Sequence, residues 1–495
     1  MMEYILSIDQ GTTSTRAIVF NKQGEIVDTA QQEISCSYPE NGWVLQDANE
    51  IWISTLAVIN RVLLSERVNS QFIKAIGITN QRETTIVWDK HTGKPLHPAI
   101  VWQSRQSEKI CERWKHEKLE PLIKAKTGLL IDPYFSASKI KWLMENVTGL
   151  AEKMHRGDVL FGTVDSYLVW KLTEGKAHIT DVTNASRTLL FNIHENCWDQ
   201  ALLEALNIPK SILPTVCETS EVYGYATALH TKKPIPIAAV CGDQQAALFG
   251  QVCFEKGMVK NTYGTGCFVL MNTGDTPVQS ENGLLSTIAW RLNGETTYAL
   301  EGSVFVGGSA IQWLRDGLRL FKHTSDCEAY ALDVADSKGI YVVPTFVGLG
   351  TPYWDSEVRG GVVGLTRGSE KEHFIRATLE AIAYQSKDVI MAMQRDLKEP
   401  IQQLAVDGGA SRNQFLMQFQ SDILGVDVIR PAVNETTALG AAFLAGLAVG
   451  VYTDCEEISK LWTAKQQFTP QRDDVWRETL YGGWQKAVHV ISQFK

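Results

Sequence analysis

The sequence has 495 residues, 44% hydrophobic and 21% charged, and this length and composition fit an ordinary globular protein with two or three hydrophobic cores. Its formal net charge of −9 argues against a general nucleic-acid-binding surface, which is built from clustered lysine and arginine, so small-molecule partners are expected instead. The nine cysteines stand singly, without a CxxC pair and without clustering with histidine, so we expect reduced core thiols rather than disulfides or a zinc site.

The first predicted elements form an antiparallel meander. Strands are expected at residues 4–8 and 16–20, and a third begins at Glu25 after a turn at residues 21–24. The first turn, DQGTTST at residues 9–15, places Asp9, a glycine and several hydroxyl groups beside an arginine. Such groups can hold phosphate oxygens while the carboxylate recruits a divalent metal, although a polar surface hairpin is an equal alternative at this point. The chain has no GxxxxGK[ST] motif, which excludes a Walker-type ATPase.

The middle of the chain carries the residue on which the functional interpretation depends. A short buried strand is predicted at residues 237–240, followed by a turn at Gly242 and a helix from Gln244 that closes at Gly250. Asp243 stands at the junction, where its carboxylate could face a cleft. The structural alternative is that Asp243 only caps the helix.

Two further glycine-rich turns follow. Residues 261–266, NTYGTG, resemble the first turn in chemistry and suggest a duplicated architecture of two lobes around a cleft. Residues 404–413 lead from a strand into a helix that stops at Gly425, and this turn is either an anion site at a helix N-terminus or a plain connection. We also predict a charged loop at residues 151–157, a core helix within residues 374–393 and a tightly packed helix at residues 436–446.

Three motifs in this order resemble the phosphate and adenosine loops of the actin, hexokinase and sugar-kinase superfamily: DQGTTSTR at 9–16, NTYGTG at 261–266 and DGGA at 407–410. The run YFSASKIKWLMEN at 134–146 resembles a signature of the carbohydrate kinases that act on glycerol, gluconate, xylulose and fucose. Four more segments narrow the resemblance to the glycerol-phosphorylating branch of that family: NQRET at 80–84, VWQSRQ at 101–106, DPYF at 132–135 and GDQQAAL at 242–248.

The resemblance implies an α/β fold with two ribonuclease-H-like, actin/hexokinase-type domains flanking a central cleft, at residues 1–250 and 251–495. It implies transfer of the γ-phosphoryl group from ATP, with Mg²⁺, to glycerol. The implied glycerol-binding residues are Arg82, Glu83, Asp243 and Gln244 for the hydroxyl groups, and Trp102, Tyr134 and Phe268 for the carbon edge. The implied nucleotide-binding residues are Thr12, Thr13, Ser14 and Arg16 in the first domain, and Thr265, Gly308, Gln312, Gly409 and Asn413 in the second.

The same resemblance implies that Asp243 accepts the proton of the attacking hydroxyl. It also implies that Asp9 and Asp243 bind Mg²⁺, with Asp9 binding it through water. An ordinary carboxylate pKa would suffice for Asp243 if the transition state is loose. The structural alternatives are that Trp102 and Phe268 are core residues and that Arg82 and Glu83 form a surface ion pair.

Two other functions compete with this interpretation. The nearer one is a related kinase for a pentulose or another polyol, which would need a roomier acceptor site than the three aromatic residues leave. The farther one is a non-kinase ATPase of the actin or chaperone type, which would have no use for Arg82, Glu83 and Asp243 in one cleft.

Location, assembly and regulation are less strongly indicated. No signal-peptide pattern precedes the first strand, and the longest apolar run, residues 438–452, is short and glycine-rich for a membrane span, so we expect a cytoplasmic protein. The family resemblance implies a homodimer or homotetramer. Of the family's regulatory patterns, the phosphorylatable-histidine motif is incomplete around His230 and the Gly-Arg loop for fructose 1,6-bisphosphate is missing, so neither mode of regulation is predicted.

Overall fold

Two mixed β-sheets divide the chain into an N-terminal and a C-terminal half in the computed structural model, which describes residues 3–355 and 357–494. The strands of the N-terminal half are β1 (Tyr4–Gln10), β2 (Ser14–Asn21), β3 (Ile26–Glu33), β4 (Leu45–Gln46), β5 (Ile73–Asn80), β6 (Ile86–Asp89), β7 (Ala99–Ile100), β8 (Val159–Gly162), β9 (Ile179–Asp181), β10 (Phe191–Asn192), β11 (Cys197–Trp198), β12 (Thr215–Cys217), β13 (Gly224–Tyr225) and β14 (Pro236–Gly242). Its helices are α1 (Ala48–Leu63), α2 (Glu108–His116), α3 (Glu120–Thr127), α4 (Ser136–Asn146), α5 (Leu150–Arg156), α6 (Val164–Leu172), α7 (Val182–Ala185), α8 (Gln200–Leu206) and α9 (Asp243–Gly250).

The C-terminal half repeats the mixture of strands and helices. Its strands are β15 (Val259–Tyr263), β16 (Cys267–Gly274), β17 (Leu285–Leu292), β18 (Glu295–Val304), β19 (Tyr341–Val343), β20 (Gly361–Val363), β21 (Gln403–Asp407), β22 (Asp427–Pro431) and β23 (Ala464–Phe468). Its helices are α10 (Gly308–Asp316), α11 (Asp326–Leu332), α12 (Lys371–Leu397), α13 (Gln414–Leu424), α14 (Thr436–Ala448), α15 (Cys455–Leu461) and α16 (Asp474–Ser492).

The two large sheets share one topology. In the N-terminal sheet the antiparallel meander β3-β2-β1 is extended by β5 and β14, which run parallel to β1, and β13 closes the edge. In the C-terminal sheet the antiparallel strands β18-β16-β15 are extended by the parallel strands β21 and β22, with β17 and β23 at the edges. Each half therefore has an antiparallel meander extended by parallel strands, which agrees with the duplicated architecture that the sequence suggested.

Most of the local predictions agree with the structure, and one is wrong. The first meander, the β14-to-α9 junction, the β15-β16 hairpin and the β21-to-α13 connection lie where the sequence placed them, and α12 is largely buried as predicted. Residues 151–157 were expected to form a charged loop, but residues 151–156 belong to α5 and Gly157 is its C-cap. Leu150 and Met154 are buried one turn apart on that helix, and glycines with positive φ at both ends, Gly149 and Gly157, set its limits.

A close crossing of α9 and α14 joins the two halves. A Cβ atom on Gly440 would lie 1.8 Å from the backbone oxygen of Ala246, and one on Gly250 would lie 2.0 Å from that of Thr436. The two backbones can meet because these positions carry no side chain. By sequence α14 lies between strands β22 and β23 of the second sheet, yet it packs on β1, β5 and β14 of the first sheet. The helix with small residues predicted at 436–446 thus holds the halves together.

The helices within residues 3–355 and 357–494 include none that is both long enough and apolar enough to cross a membrane.

Candidate active site

Three parallel strands of the N-terminal sheet end at one edge. Gln10 at the end of β1 lies opposite Asn80 at the end of β5, and Asn80 lies opposite Gly242 at the end of β14. The segments that follow these three strands therefore meet above the same edge, where ligands of α/β proteins commonly bind. Those segments carry the first hydroxyl-rich turn, the pair Arg82–Glu83 and Asp243.

A cavity of about 410 Å³ opens at this edge, between the two halves, and we call it the cleft pocket. Its walls come from both halves, because the β15-β16 hairpin faces the ends of β1, β5 and β14. The lining residues are Thr12, Thr13, Cys36, Tyr38, Arg82, Glu83, Trp102, Gln103, Tyr134, Asp243, Gln244, Thr265, Gly266, Phe268 and Phe305. All seven residues predicted to bind the acceptor lie in this wall.

Arg82 and Glu83 do not form a surface ion pair. Arg82 is 3% exposed; its Nε is ion-paired with Oδ1 of Asp243 at 3.1 Å, and its Nη1 and Nη2 donate to the two carboxylate oxygens of Glu301 at 2.6 and 2.9 Å. The Glu83 carboxylate accepts from Nε of Arg187 at 2.6 Å. Burial raises the pKa of Glu83 despite Arg187 and Arg82, whereas for Glu301 the two arginines outweigh burial and lower the pKa to about 2.

Asp243 is not the N-cap of α9. Gly242 occupies the cap position, and Asp243 is the first helical residue, with its Oδ1 accepting from the backbone N–H of Gln244 at 2.8 Å. The Asp243 side chain is 30% exposed and faces the cleft pocket. Burial outweighs Arg82 and Lys260 and raises its pKa, which favours a carboxylate that can accept a proton.

Lys260 lies beneath the α9 end of the pocket. Its Nζ donates to Oε1 of Gln244 at 2.5 Å and to Oγ1 of Thr262 at 2.8 Å, and burial lowers its pKa to about 8. These contacts fix the Gln244 side chain amide from the C-terminal half.

The aromatic residues form one wall of the cleft pocket and are not core. The ring of Trp102 packs edge-on against Tyr134 at 5.6 Å and against Phe268 at 6.2 Å, measured between centroids. Trp102 also donates from Nε1 to Oγ1 of Thr12 at 2.9 Å, which ties this wall to the first hydroxyl-rich turn. Lys139, within the signature run, donates to the backbone carbonyl of Tyr134 and to those of its two neighbours, so it fixes the turn that presents the tyrosine.

The first hydroxyl-rich turn is only partly in the pocket. Thr12 and Thr13 line it, whereas Ser14 begins β2 and Arg16 is ion-paired with Glu435 at 2.7 Å. Neither Ser14 nor Arg16 lines the cleft pocket, so their role at a nucleotide stays a prediction.

Asp9, near the end of β1, carries a perturbed carboxylate. Burial, opposed by Arg16 and reinforced by Asp243 and Glu435, raises its pKa to about 7. Within residues 3–355 and 357–494, no hydrogen-bond donor reaches the Asp9 carboxylate and no group of three or more His, Cys, Asp or Glu side chains is arranged to hold a metal. Carboxylate oxygens suit a hydrated divalent ion, and the binding of one by Asp9 and Asp243 stays a prediction.

A second cavity, of about 610 Å³, adjoins the first in the C-terminal half, and we call it the distal pocket. Thr265 lines both cavities. The other lining residues are Tyr263, Gly264, Gly308, Ile311, Gln312, Thr324, Ser325, Cys327, Glu328, Gly409, Ala410, Arg412 and Asn413. The five predicted nucleotide-binding residues of the second half all lie in this wall.

The glycine turn after β21 lets backbone line the distal pocket. Gly408 has a φ of +85°, and a Cβ there would lie 2.6 Å from the backbone oxygen of Tyr263, whereas a Cβ on Gly409 would meet nothing within 4 Å. Asn413 caps α13 by accepting from the N–H of Leu416 at 2.8 Å. The turn thus combines an open glycine with a capped helix N-terminus, as expected for a ligand loop.

Three buried charges at the site were missed by sequence reasoning: Arg187, Lys260 and Glu301. The available signal was a lone charge inside an otherwise apolar strand, as in YALEGSV around Glu301. The partners of these residues lie up to 219 positions away, so no local pattern connects them.

Family models match both halves of the chain: the N-terminal domain of the FGGY family of carbohydrate kinases at residues 4–250 and the C-terminal domain of that family at residues 259–449. Two curated glycerol kinases, from a Geobacillus species and from Bacillus licheniformis, are each 61% identical to this chain over 496 aligned residues. Each alignment covers 100% of this chain and 100% of the relative.

Solved structures agree with the two-domain fold. A Plasmodium falciparum glycerol kinase with ADP superposes with a TM-score of 0.93 at 36% identity, over 99% of this chain and 98% of the other. A Lactobacillus acidophilus gluconate kinase superposes with a TM-score of 0.90 at 22% identity, over 100% of both chains, and informs the fold alone. The predicted two-domain, actin/hexokinase-type α/β fold is confirmed.

Proposed function

The chain belongs to the FGGY family of carbohydrate kinases, and we propose that it transfers the γ-phosphoryl group of ATP to glycerol, forming sn-glycerol 3-phosphate. The observation that carries this function is the cleft pocket, where three charged side chains, Arg82, Glu83 and Asp243, face an aromatic wall beside a second, larger cavity. Its full-length relatives at 61% identity are glycerol kinases. A gluconate kinase and a xylulose kinase among the solved structures are only 22% and 23% identical to this chain, so they inform the fold alone and do not favour a gluconate or pentulose acceptor.

Glycerol fits the cleft pocket because it has three hydroxyl groups on one side and a carbon edge on the other. The hydroxyl groups need charged donors and acceptors, which Arg82, Glu83, Asp243 and Gln244 supply. The carbon edge needs an apolar surface, and the wall of Trp102, Tyr134 and Phe268 supplies it. All seven residues were predicted from the sequence, and their position in the lining of the cleft pocket supports the proposal.

The nucleotide occupies the distal pocket in this proposal. Gly409, Gly308, Gln312 and Asn413 surround the nucleoside end, and the phosphates extend past Thr265, which lines both cavities. Thr12, Thr13 and Ser14 then approach the transferred phosphoryl group from the opposite half, together with Arg16 once it exchanges Glu435 for phosphate. A γ-phosphoryl group placed near Thr265 lies between the donor and the acceptor, as in-line transfer requires.

Catalysis in this arrangement is mainly positioning and electrostatics. Asp243 accepts the proton of the attacking primary hydroxyl, and its raised pKa suits that task. Arg82 holds both the acceptor and the Asp243 carboxylate through separate N–H groups. Mg²⁺ held near Asp9 and Asp243 would neutralise charge on the phosphate oxygens. Closure of the two halves over the pocket would exclude water and limit ATP hydrolysis.

The product test is direct. Incubation with ATP, Mg²⁺ and glycerol, followed by ³¹P NMR, should show glycerol 3-phosphate and ADP forming in equal amounts. A stereospecific sn-glycerol-3-phosphate dehydrogenase should then oxidise the whole product. ADP accompanied by free phosphate, with no phosphate ester, would instead identify an ATPase of the actin or chaperone type.

We further propose that the enzyme acts in the cytoplasm as a homodimer or homotetramer, which the sequence resemblance supports. Light scattering coupled to size exclusion measures the assembly directly, and a monomer of 55.1 kDa at enzyme-assay concentrations would contradict it.

A further inference from the structure

A chain of alternating buried charges lies beneath the acceptor wall and crosses between the two halves. It runs from Asp243 to Arg82 (3.1 Å), from Arg82 to Glu301 (2.6 and 2.9 Å), from Glu301 to Arg187 (3.0 Å) and from Arg187 to Glu83 (2.6 Å). The first and last members are acceptor-binding residues. The members between them that do not line the pocket are Glu301 and Arg187.

Glu301 is the only member of this charge chain that comes from the C-terminal half. It lies in β18 with 0% exposure, opposite Leu270 of β16 and Leu285 of β17, so its carboxylate is set among apolar strand neighbours. Both of its oxygens accept from Arg82, one from Nη1 and one from Nη2. This two-point contact fixes the plane of the guanidinium and leaves Nε directed at Asp243.

Arg187 connects Glu301 to the other acceptor-binding carboxylate. It is 0% exposed, donates from Nε to Glu83 and from Nη2 to Glu301, and its guanidinium lies over the rings of Tyr134 and Phe135 at 5.5 and 5.3 Å. Its Nη1 has no hydrogen-bond partner within the part of the chain that the structure describes. Arg187 therefore connects Glu301 to Glu83 through two different nitrogens of one buried guanidinium.

A contribution to the stability of the fold does not by itself explain why these charges are buried. Removing two arginines and two glutamates from water carries a large desolvation cost, and well-packed apolar side chains often stabilise a core equally well or better. The same fold uses a simpler buried pair elsewhere: Arg376 and Glu380 meet at 2.9 Å on consecutive turns of α12, away from both cavities. The longer chain of charges lies directly behind Arg82 and Glu83.

We propose that Glu301, bridged by Arg187, is a positioning residue that orients Arg82 and Glu83 for the acceptor from the opposite half of the molecule. This role rests on the proposed function and deepens it, because it names residues outside the pocket that set acceptor affinity. Without the Glu301 charge, the Arg82 guanidinium turns toward its remaining carboxylate partners, Asp243 at 3.1 Å and Glu83 at 4.0 Å from Nε, and these groups are then lost to the acceptor.

The test compares Glu301→Gln, Glu301→Asp and Arg187→Lys with the matched control Glu380→Gln, which removes a buried, arginine-paired charge outside the site. Steady-state kinetics with glycerol and ATP varied separately, and calorimetric titration of each protein with glycerol, give the readouts. Glu301→Gln should raise the glycerol KM and the glycerol Kd by about tenfold or more, the effect of disturbing a charge-assisted contact. Its ATP KM should stay within about twofold of the wild type.

Glu301→Asp keeps the negative charge, so its glycerol affinity should lie between those of Glu301→Gln and the wild type. The control Glu380→Gln should lower the unfolding midpoint without changing the glycerol KM. A folded Glu301→Gln protein with unchanged glycerol KM and Kd, or one with equal losses for glycerol and ATP, would overturn the positioning role. If Glu301→Gln does not fold, Arg187→Lys decides, because it keeps the charge and must still weaken glycerol selectively. A wild-type protein that does not phosphorylate glycerol would instead refute the proposed function, a result visible before any variant is made.

Discussion

Replacing Asp243 with asparagine separates the catalytic role of this residue from a structural one. Because Gly242 is the N-cap of α9, the substitution removes no helix cap. An asparagine oxygen can still accept from the N–H of Gln244, which lies 2.8 Å from Oδ1, and can remain next to Nε of Arg82, which lies 3.1 Å from Oδ1. What the variant loses is the negative charge and the ability to take up a proton.

The expected effects on stability and on rate differ in size. The Asp243 side chain is 30% exposed, so weakening its contact with Arg82 should change the free energy of unfolding by about 1 kcal/mol. Loss of a positioned base should lower kcat by at least roughly a hundredfold, which corresponds to about 2.7 kcal/mol of barrier. The loss of rate is therefore larger than any loss of stability can explain.

Three measurements make the comparison: kcat for glycerol phosphorylation at saturating substrates, ATP binding by calorimetry and unfolding in urea. The variant should bind ATP and unfold cooperatively while kcat falls. Raising the Mg²⁺ concentration should restore little of the rate if the carboxylate acts as base, and more of it if the main role is to orient metal-bound water. A folded variant with near-normal kcat would refute the assignment of Asp243 as proton acceptor.

Three further predictions concern other parts of the molecule. Arg82→Ala should lower kcat/KM for glycerol, with a loss of transition-state stabilisation of about 2 to 4 kcal/mol, because a buried charged donor is lost. An unchanged kcat/KM would show that Arg82 does not belong to the acceptor site. Gly440→Ala should destabilise the fold by about 1 to 3 kcal/mol in urea unfolding, since its Cβ would lie 1.8 Å from the oxygen of Ala246; the control Gly482→Ala in α16, where a Cβ meets nothing within 4 Å, should be neutral or slightly stabilising. Burial raises the pKa of Asp165 from 3.8 to about 6, so its contribution to stability is fully present below pH 3.8 and is lost as the pH rises through 6. Asp165→Asn should remove this dependence, and parallel curves of unfolding free energy against pH for the two proteins would contradict it.

The parts of the fold that follow from short-range pattern could be predicted from the sequence. Alternating strands and turns identified the first meander, and the change from an apolar run to a helical run at Gly242 identified the junction where Asp243 lies. The glycine- and hydroxyl-rich turns could be placed because glycine positions and helix starts are encoded locally. The loop predicted at residues 151–157 was wrong because most of these side chains are charged or polar. The helix that forms there buries only two side chains, Leu150 and Met154, which is too weak a pattern to predict a helix.

The charges beneath the pocket could not be predicted, because their meaning depends on long-range contact. Glu301 is one carboxylate in a buried strand, and nothing near it in sequence shows that two arginines, 114 and 219 positions away, meet there. Arg16 illustrates the same limit, since its partner Glu435 lies 419 positions later. Sequence motifs identified the groups that face the cleft pocket, and only the fold shows which groups hold them.

Acceptor-dependent ADP release tests the central claim most directly. The protein is incubated with ATP and Mg²⁺ and, in turn, with glycerol, erythritol, xylitol, xylulose, gluconate and no acceptor, and kcat/KM is determined for each. Glycerol should give the highest value, and release without an acceptor should be far slower, because the wall of Trp102, Tyr134 and Phe268 encloses a three-carbon chain. A higher kcat/KM for xylulose or gluconate, or ADP release that does not depend on an acceptor, would contradict the account.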